Sequence, residues 1–316
     1  MHWSIDAENK INVYAERCKQ NPIITPEMGQ GIGGNINGPS VIKTPDWLPN
    51  PLGQYYLYFS HHRGTYIRMA YTNRLEGPWI IYEPGVLHLE ETICRDHIAS
   101  PDVHVDNEKK EIRMYFHGQV TPGRWSRLRQ PSFVATSKEG IHFKVFPEML
   151  GDSYFRVFQW GDYYYAIARL GILFRSVGGL TSFESGPNLF QNSTATPNVR
   201  HSALRLEENT LFIFYSRIGD CPERILLTKI DLVPDWTKWK PVGEQTILQP
   251  EMSYEGANLP LAPSKIGKVM EPVRELRDPF IYEEGQRVFL LYSIAGESGI
   301  GIAELKEGEP IEHPKN

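Results

Sequence analysis

Five short strands, apolar and rich in aromatics, punctuate the chain: Tyr55–Ser60, Ile112–His117, Tyr163–Ala168, Leu211–Ser216 and Val288–Ser293. Each follows a polar turn, at 51–54, 107–110, 160–162, 207–209 and 283–286. Before each turn lies another short apolar stretch: Pro39–Ile42, Pro101–Val105, Phe155–Phe158, Ser202–Leu206 and Pro279–Tyr282. Strand–turn–strand repeated five times predicts five hairpins. A third strand follows each one, at 66–71, 132–136, 172–176, 225–230 and 300–305. A fourth is marked by Trp or Phe at 79–82, 143–146 and 239–242, with a poorer match near Phe183.

A four-stranded unit recurring about every 50 residues is the mark of a radial repeat. The expected fold is therefore all-β, a five-bladed β-propeller in which an N-terminal strand closes the last blade. Asn21–Pro26 has the character of the missing outer strand, and residues 21–316 are expected to form the propeller. Residues 1–20 read as an extension, with Ile11, Tyr14 and Cys18 at helical spacing and Asp6 as an N-cap. Two β-sandwiches are the competing architecture, but no linker composition interrupts the spacing. The last interval is stretched by a loop from Glu251 to Leu276, and long loops in regular repeats are commonly functional.

Composition agrees with many short strands. Aromatics are 12% of 316 residues, with 24 Pro and 27 Gly. A net charge of -5 with scattered basic residues predicts neither nucleic-acid nor membrane partners. Three cysteines without metal-ligand spacing, and a polar N-terminus without an apolar signal core, lead to the expectation of a cytoplasmic protein, though a chain trimmed of a leader would look the same. Monomer and homodimer are both open.

In a propeller the innermost strands begin, and the second strands end, at one mouth of the axial channel. Those positions carry Asn37, Asp102, Arg156, His201, Arg277 and Asp278, then His62, His117, Arg169 and Arg217. Ionisable groups among such apolar strands must pair with each other or with a ligand. Several guanidiniums at one mouth predict an anionic ligand: a uronate, a sulfated sugar or phosphate. Glu271, on the long loop, is a further candidate for binding substrate. No cofactor is required, while the histidines leave room for a structural divalent ion in the channel. Trp125, Trp160 and Tyr66 fall in loops where they could stack on sugar rings.

Asn37-Gly38-Pro39-Ser40-Val41-Ile42, Tyr71-Thr72-Asn73-Arg74-Leu75-Glu76-Gly77-Pro78-Trp79, Ser100-Pro101-Asp102-Val103 and Arg277-Asp278-Pro279-Phe280-Ile281-Tyr282 resemble blade signatures of the five-bladed glycoside hydrolases. The likeness is to the family 43 arabinanases and xylosidases and their neoagarobiose hydrolase and invertase-like relatives, from Asn21 to Leu305. It implies a base Asp opening the first blade, a modulating Asp opening the second and an acid Glu opening the third. Here the first position reads Asn37-Gly38, the second has Asp102 after the proline instead of before it, and the third has Arg156. The expected activity is thus exo-hydrolysis of an anionic or anhydro-sugar oligosaccharide with a non-standard set: Asp102 and Asp278 as carboxylates and His201 in proton transfer. Asn37, His62, His117, Arg156, Arg169, Arg217, Glu271 and Arg277 are expected to bind substrate. Phosphorolysis or elimination in the same pocket, and a non-catalytic carbohydrate-binding propeller, are the alternatives. The simplest structural readings are an Arg277–Asp278 ion pair that locks the fifth blade, and Asp102 accepting backbone N–H groups.

Overall fold

A computed structural model describes residues 2–121, 130–191 and 198–308. It contains five four-stranded antiparallel sheets. The blades are β2(Asn37–Lys43) to β5(Ile80–His88), β6(Arg95–Asp106) to β9(Lys144–Gly151), β10(Arg156–Trp160) to β13(Glu184–Asn188) and β14(Val199–Glu207) to β17(Val242–Leu248). The fifth joins β18(Arg277–Glu284), β19(Arg287–Ser293) and β20(Ile300–Glu307) to β1(Val13–Arg17) from the opposite end of the chain. The propeller and its closure by an N-terminal strand are as expected from the repeat.

Two expectations are corrected. The closing strand is Val13–Arg17, paired from Val13↔Glu307 to Arg17↔Ala303, while Asn21–Pro26 only bridges Ile24 to Ile300. Nor is there a helix over residues 6–19. Ile11 and Val13 are buried and Ala15 and Arg17 half-buried at every second position, which is strand periodicity, and β20 offers an unpaired edge to complete. The fourth strands are also longer than their Trp or Phe markers, because β5, β9 and β17 each run through a register shift into the following segment.

The core lies between neighbouring blades. Ile42, Tyr56 and Tyr58 of the first blade pack with Met114, Phe116 and Phe133 of the second. Trp3 and Val13 fill the seam between blades four and five with Phe212, Phe214 and Leu290. Glu255, at the start of the long loop, is fully buried and accepts from Arg17 Nε (2.7 Å), Arg17 Nη2 (3.0 Å) and Tyr292 OH (2.9 Å). It pins the closing strand to the ring.

Candidate functional site

Four of the five innermost strands enter the channel through the same distortion. Register jumps between Asn37 and Ser40, Ala99 and Asp102, Val199 and Ser202, and Arg277 and Phe280. Three bulges contain a left-handed residue followed by proline: Gly38 (φ 61), Ser100 (φ 54) and Asp278 (φ 47). Proline costs little there, since a bulge leaves a gap in the ladder where no N–H is needed. Ser100 and Asp278 line the axial pocket from these bulges. Asp278 has the short polar side chain that, after glycine, best tolerates this conformation.

Around the axis these strands surround a small cavity of about 20 Å³, bounded by Asn37, His62, His117, Tyr154, His201, Asp278 and Glu297, with His97 and Gln130 at one side. Asp278 is 2% exposed; its Oδ1 contacts His201 Nδ1, and its Oδ2 accepts from Ser293 Oγ at 2.9 Å. Burial alone would raise its pKa, but His201, Ser293 and Arg277 together hold the carboxyl well below the usual carboxylate range. Burial, against the pull of Asp278, keeps the His201 imidazole below its ordinary pKa. If a neutral His201 carries its proton on Nδ1, the nitrogen in contact with Asp278, Nε2 is left with a free lone pair beside the cavity. That nitrogen is buried and has no partner among the described residues.

Tyr154, also left-handed (φ 67), stands between two imidazoles. Its ring meets His201 edge-on at 4.2 Å and His117 at 4.3 Å between centroids. His117 Nδ1 is a second buried nitrogen without a partner among the described residues, and burial drives its pKa well down. Burial pushes the Tyr154 hydroxyl up to about 12. On the other wall, Glu297 accepts from Asn35 (2.7 Å), Arg277 (3.0 Å) and Asn37 (3.3 Å) and faces His62 Nδ1 at 3.2 Å. Behind it Arg277 reaches Glu275 (2.8 Å) and Glu223 (3.5 Å), and Glu223 also binds Arg200 at 2.8 and 3.0 Å. The long loop is tied to this network: Lys265 O accepts from Arg200 (2.6 Å), Gly267 O from Arg277 (3.3 Å) and Val269 O from Asn35 (2.8 Å).

Of the residues singled out from the sequence, Asp278, His201, His117, His62 and Asn37 meet in this cavity, with Arg277 directly behind. Asp102 does not. It bonds His104 Nε2 and Val157 N, both at 2.8 Å, and lines the opposite end of the channel with Arg156. The expected convergence of guanidiniums is not found. Arg156 donates to Ser202 O (3.1 Å) and Pro101 O (3.2 Å), and Arg217 is held by Asp220 (3.3 Å) and Glu244 (2.9 Å) on the blade flank. Arg169 is half-buried with its charge felt at Tyr154, and Glu271 is exposed. Trp160 packs on Trp239 and Tyr66 stacks on His88; Trp125 lies outside the described residues. Among the described residues no three His, Cys, Asp or Glu side chains gather as a metal site, and Tyr154 separates His117 from His201. Glu297 and Tyr154 were missed. Glu297 sits in the turn after β19, where His62 sits after β3, so reading past Ser293 into the turn would have found it.

No protein-family model matches the chain. "Uncharacterized protein R118" of Acanthamoeba polyphaga mimivirus is 39% identical over 302 residues, covering 86% of this chain and 83% of the viral protein. The chain belongs to the family of that viral protein. Among solved structures, the chain shares its fold with glycoside hydrolases. A thermostable family-43 glycoside hydrolase superposes with a TM-score of 0.58 at 15% identity, over 91% of this chain and 97% of the other. For a GH43_1 enzyme from Xanthomonas citri complexed with xylotriose the values are 0.60 and 15%, over 89% and 90%. The catalytic domain of a GH62 α-L-arabinofuranosidase from Coprinopsis cinerea gives 0.61 and 11%, over 93% and 97%.

Proposed function

We propose that the chain is an exo-acting enzyme of the glycoside hydrolase type, whose reaction is run by Asp278 and His201 in the axial pocket. The observation that carries this reading is the buried Asp278–His201 contact with an unpartnered Nε2 facing the cavity. Asp278 holds the imidazole in one tautomer and offsets the positive charge formed when Nε2 takes a proton from water. The leaving oxygen needs a donor that still holds its proton at neutral pH. Tyr154, with its raised pKa and its ring against both imidazoles, meets that requirement. Glu297, kept ionised by His62 and Arg277 against its burial, supplies negative charge near a developing oxocarbenium ion. A pocket confined to the axis and ringed by the innermost strands supports attack at chain ends.

Gly38 occupies the bulge position that Asp278 holds in the fifth blade. A Cβ there would lie 3.1 Å from Ser60 Oγ and 3.3 Å from Ser100 Cα. Whatever carboxylate chemistry the pocket performs therefore comes from the fifth blade. Asp102 serves on this reading as an anchor between blades two and three.

The test is turnover of chromogenic glycosides and short oligosaccharides of arabinose, xylose, galactose and uronic acids. Asp278→Asn, whose amide tolerates the left-handed conformation, is expected to lower kcat about 100-fold or more in a chain that still folds. Activity that survives this change removes the assignment. Tight binding of a glycan without any turnover would favour a binding propeller, for which the sterically closed Gly38 position already speaks.

A further inference from the structure

We propose that an oxyanion-binding subsite lies on the first-blade rim of the axial pocket, built from Arg68, Lys268 and the backbone of Gly33 and Gly34. It rests on the reading of the pocket as a sugar site, and it gives that sugar a charge: a carboxylate, sulfate or phosphate group.

Arg68, on β4(Tyr66–Thr72), is 5% exposed. Its Nη1 donates to Asn35 O at 3.0 Å, its guanidinium lies 5.5 Å from the Tyr66 ring centre, and its Nε has no partner. Among the described residues no carboxylate pairs with it. Arg113, Arg200 and Arg277 are buried beside Asp106, Glu223 and Glu275, and Arg156, which also lacks an acid, has its guanidinium engaged by three backbone carbonyls. Arginine keeps its proton even where burial opposes it, so a buried guanidinium without a counter-ion is a cost the fold bears unless a ligand relieves it.

The space beside it is open. A Cβ on Gly33 would meet nothing nearer than His61 Cδ2 at 3.9 Å and Arg68 Nη2 at 4.0 Å, and one on Gly34 would meet nothing within 4 Å. Gly33 is left-handed (φ 63), both glycines are exposed, and neither N–H donates to a described residue. Bare N–H groups on glycines admit an anion close to the backbone. From the long loop comes Lys268, exposed, whose charge together with that of Arg68 acts on His61. Glu83 sits beneath Gly29 and Gly31, at the other end of this loop. Asn35 connects subsite and pocket: its carbonyl takes Arg68, its amide binds Glu297 and its Oδ1 accepts from His62 N at 2.7 Å. The expectation of an acidic ligand was founded on Arg156, Arg169, Arg217 and Arg277, of which Arg156, Arg217 and Arg277 are held by partners within the protein. Arg68 restores it on a different residue.

Calorimetric titration of the full chain with D-galacturonate, D-galactose, inorganic phosphate and inorganic sulfate reads the subsite directly. The expected result is at least tenfold tighter binding of galacturonate than of galactose, abolished by Arg68→Gln and weakened two- to fivefold by Lys268→Ala. Lys268 is exposed, so its variant keeps the question answerable if Arg68→Gln fails to fold. Phosphate or sulfate that binds alone and loses affinity in the same variants identifies a free ion as the occupant. That outcome upholds the subsite even where no sugar binds, which would sink the sugar reading only. Equal affinity for the two sugars with no binding of either ion overturns the proposal, as does an acid preference untouched by both substitutions. Asp278→Asn is expected to keep the acid preference while turnover falls.

Discussion

Replacing Gly38 with alanine tests the account of the pocket at its most constrained point. The residue is left-handed (φ 61), and an alanine there forfeits about 1–2 kcal/mol in backbone strain. Its methyl would lie 3.1 Å from Ser60 Oγ and 3.3 Å from Ser100 Cα, inside ordinary contact distance. Ser60 cannot retreat freely. Its Oγ donates to Asn37 Oδ1 at 2.8 Å and accepts from Ser100 N at 3.1 Å, and Ser100 is itself in a left-handed bulge. Overpacking of this kind costs about 1–3 kcal/mol. The sum is about 2–5 kcal/mol, or a Tm lower by roughly 4–10 °C at about 2 °C per kcal/mol for a chain of this size. Urea unfolding followed by tryptophan fluorescence, with thermal melts alongside, measures it. A midpoint within about 0.5 kcal/mol of the wild type would refute the steric argument, and with it the claim that the first blade has no room for a carboxylate.

Stability should fall on acidification well before carboxylates titrate. Burial lowers the pKa of His97, His117 and His201 in the fold, so below about pH 6.5 the unfolded chain binds more protons and each histidine costs up to about 1.4 kcal/mol per pH unit. Asp278, with its depressed pKa, keeps its contribution until strongly acid pH. Denaturant midpoints at pH 7.5, 6.5 and 5.5 would show the slope and His117→Gln should flatten it; a level wild-type profile contradicts the burial of these imidazoles. Glu255→Ala should destabilise by about 3–5 kcal/mol, because Arg17 loses its buried partner and Tyr292 its acceptor. Hydrogen exchange at Val13–Arg17 would rise with it, and a loss under about 1 kcal/mol would show that the closing strand is held by its ladder alone.

The hairpins were legible because each innermost pair is a dense apolar run bounded by turn residues. The bulge-forming Arg277-Asp278-Pro279 was legible too, since proline at a strand start marks a gap in the ladder. What misled was counting charges by repeat position. Whether Arg156 faces a ligand depends on Pro101 O and Ser202 O across the channel, and Arg217 is claimed by Glu244 from an outer strand. No local pattern announces such partners. Arg68 is the converse case: on a third strand, away from the axis by repeat position, it is a buried guanidinium with no acid and an Nε without a partner among the described residues. The N-terminal strand was misplaced because Ile11, Tyr14 and Cys18 satisfy a helical period by coincidence, whereas the pairing that decides the matter lies some 290 residues away.

That distance sets an order of events during synthesis. β1 is the first strand to leave the ribosome and among the last to find its partner, since β20 is made only after all four other blades. Until then both β1 and the open fifth blade present bare hydrogen-bonding edges. The nascent protein must carry them through the translation of nearly its whole length, and the blade that supplies Asp278 and Glu297 is the one completed by that late pairing. Until β20 is made, the pocket's charged wall stands on an unfinished blade.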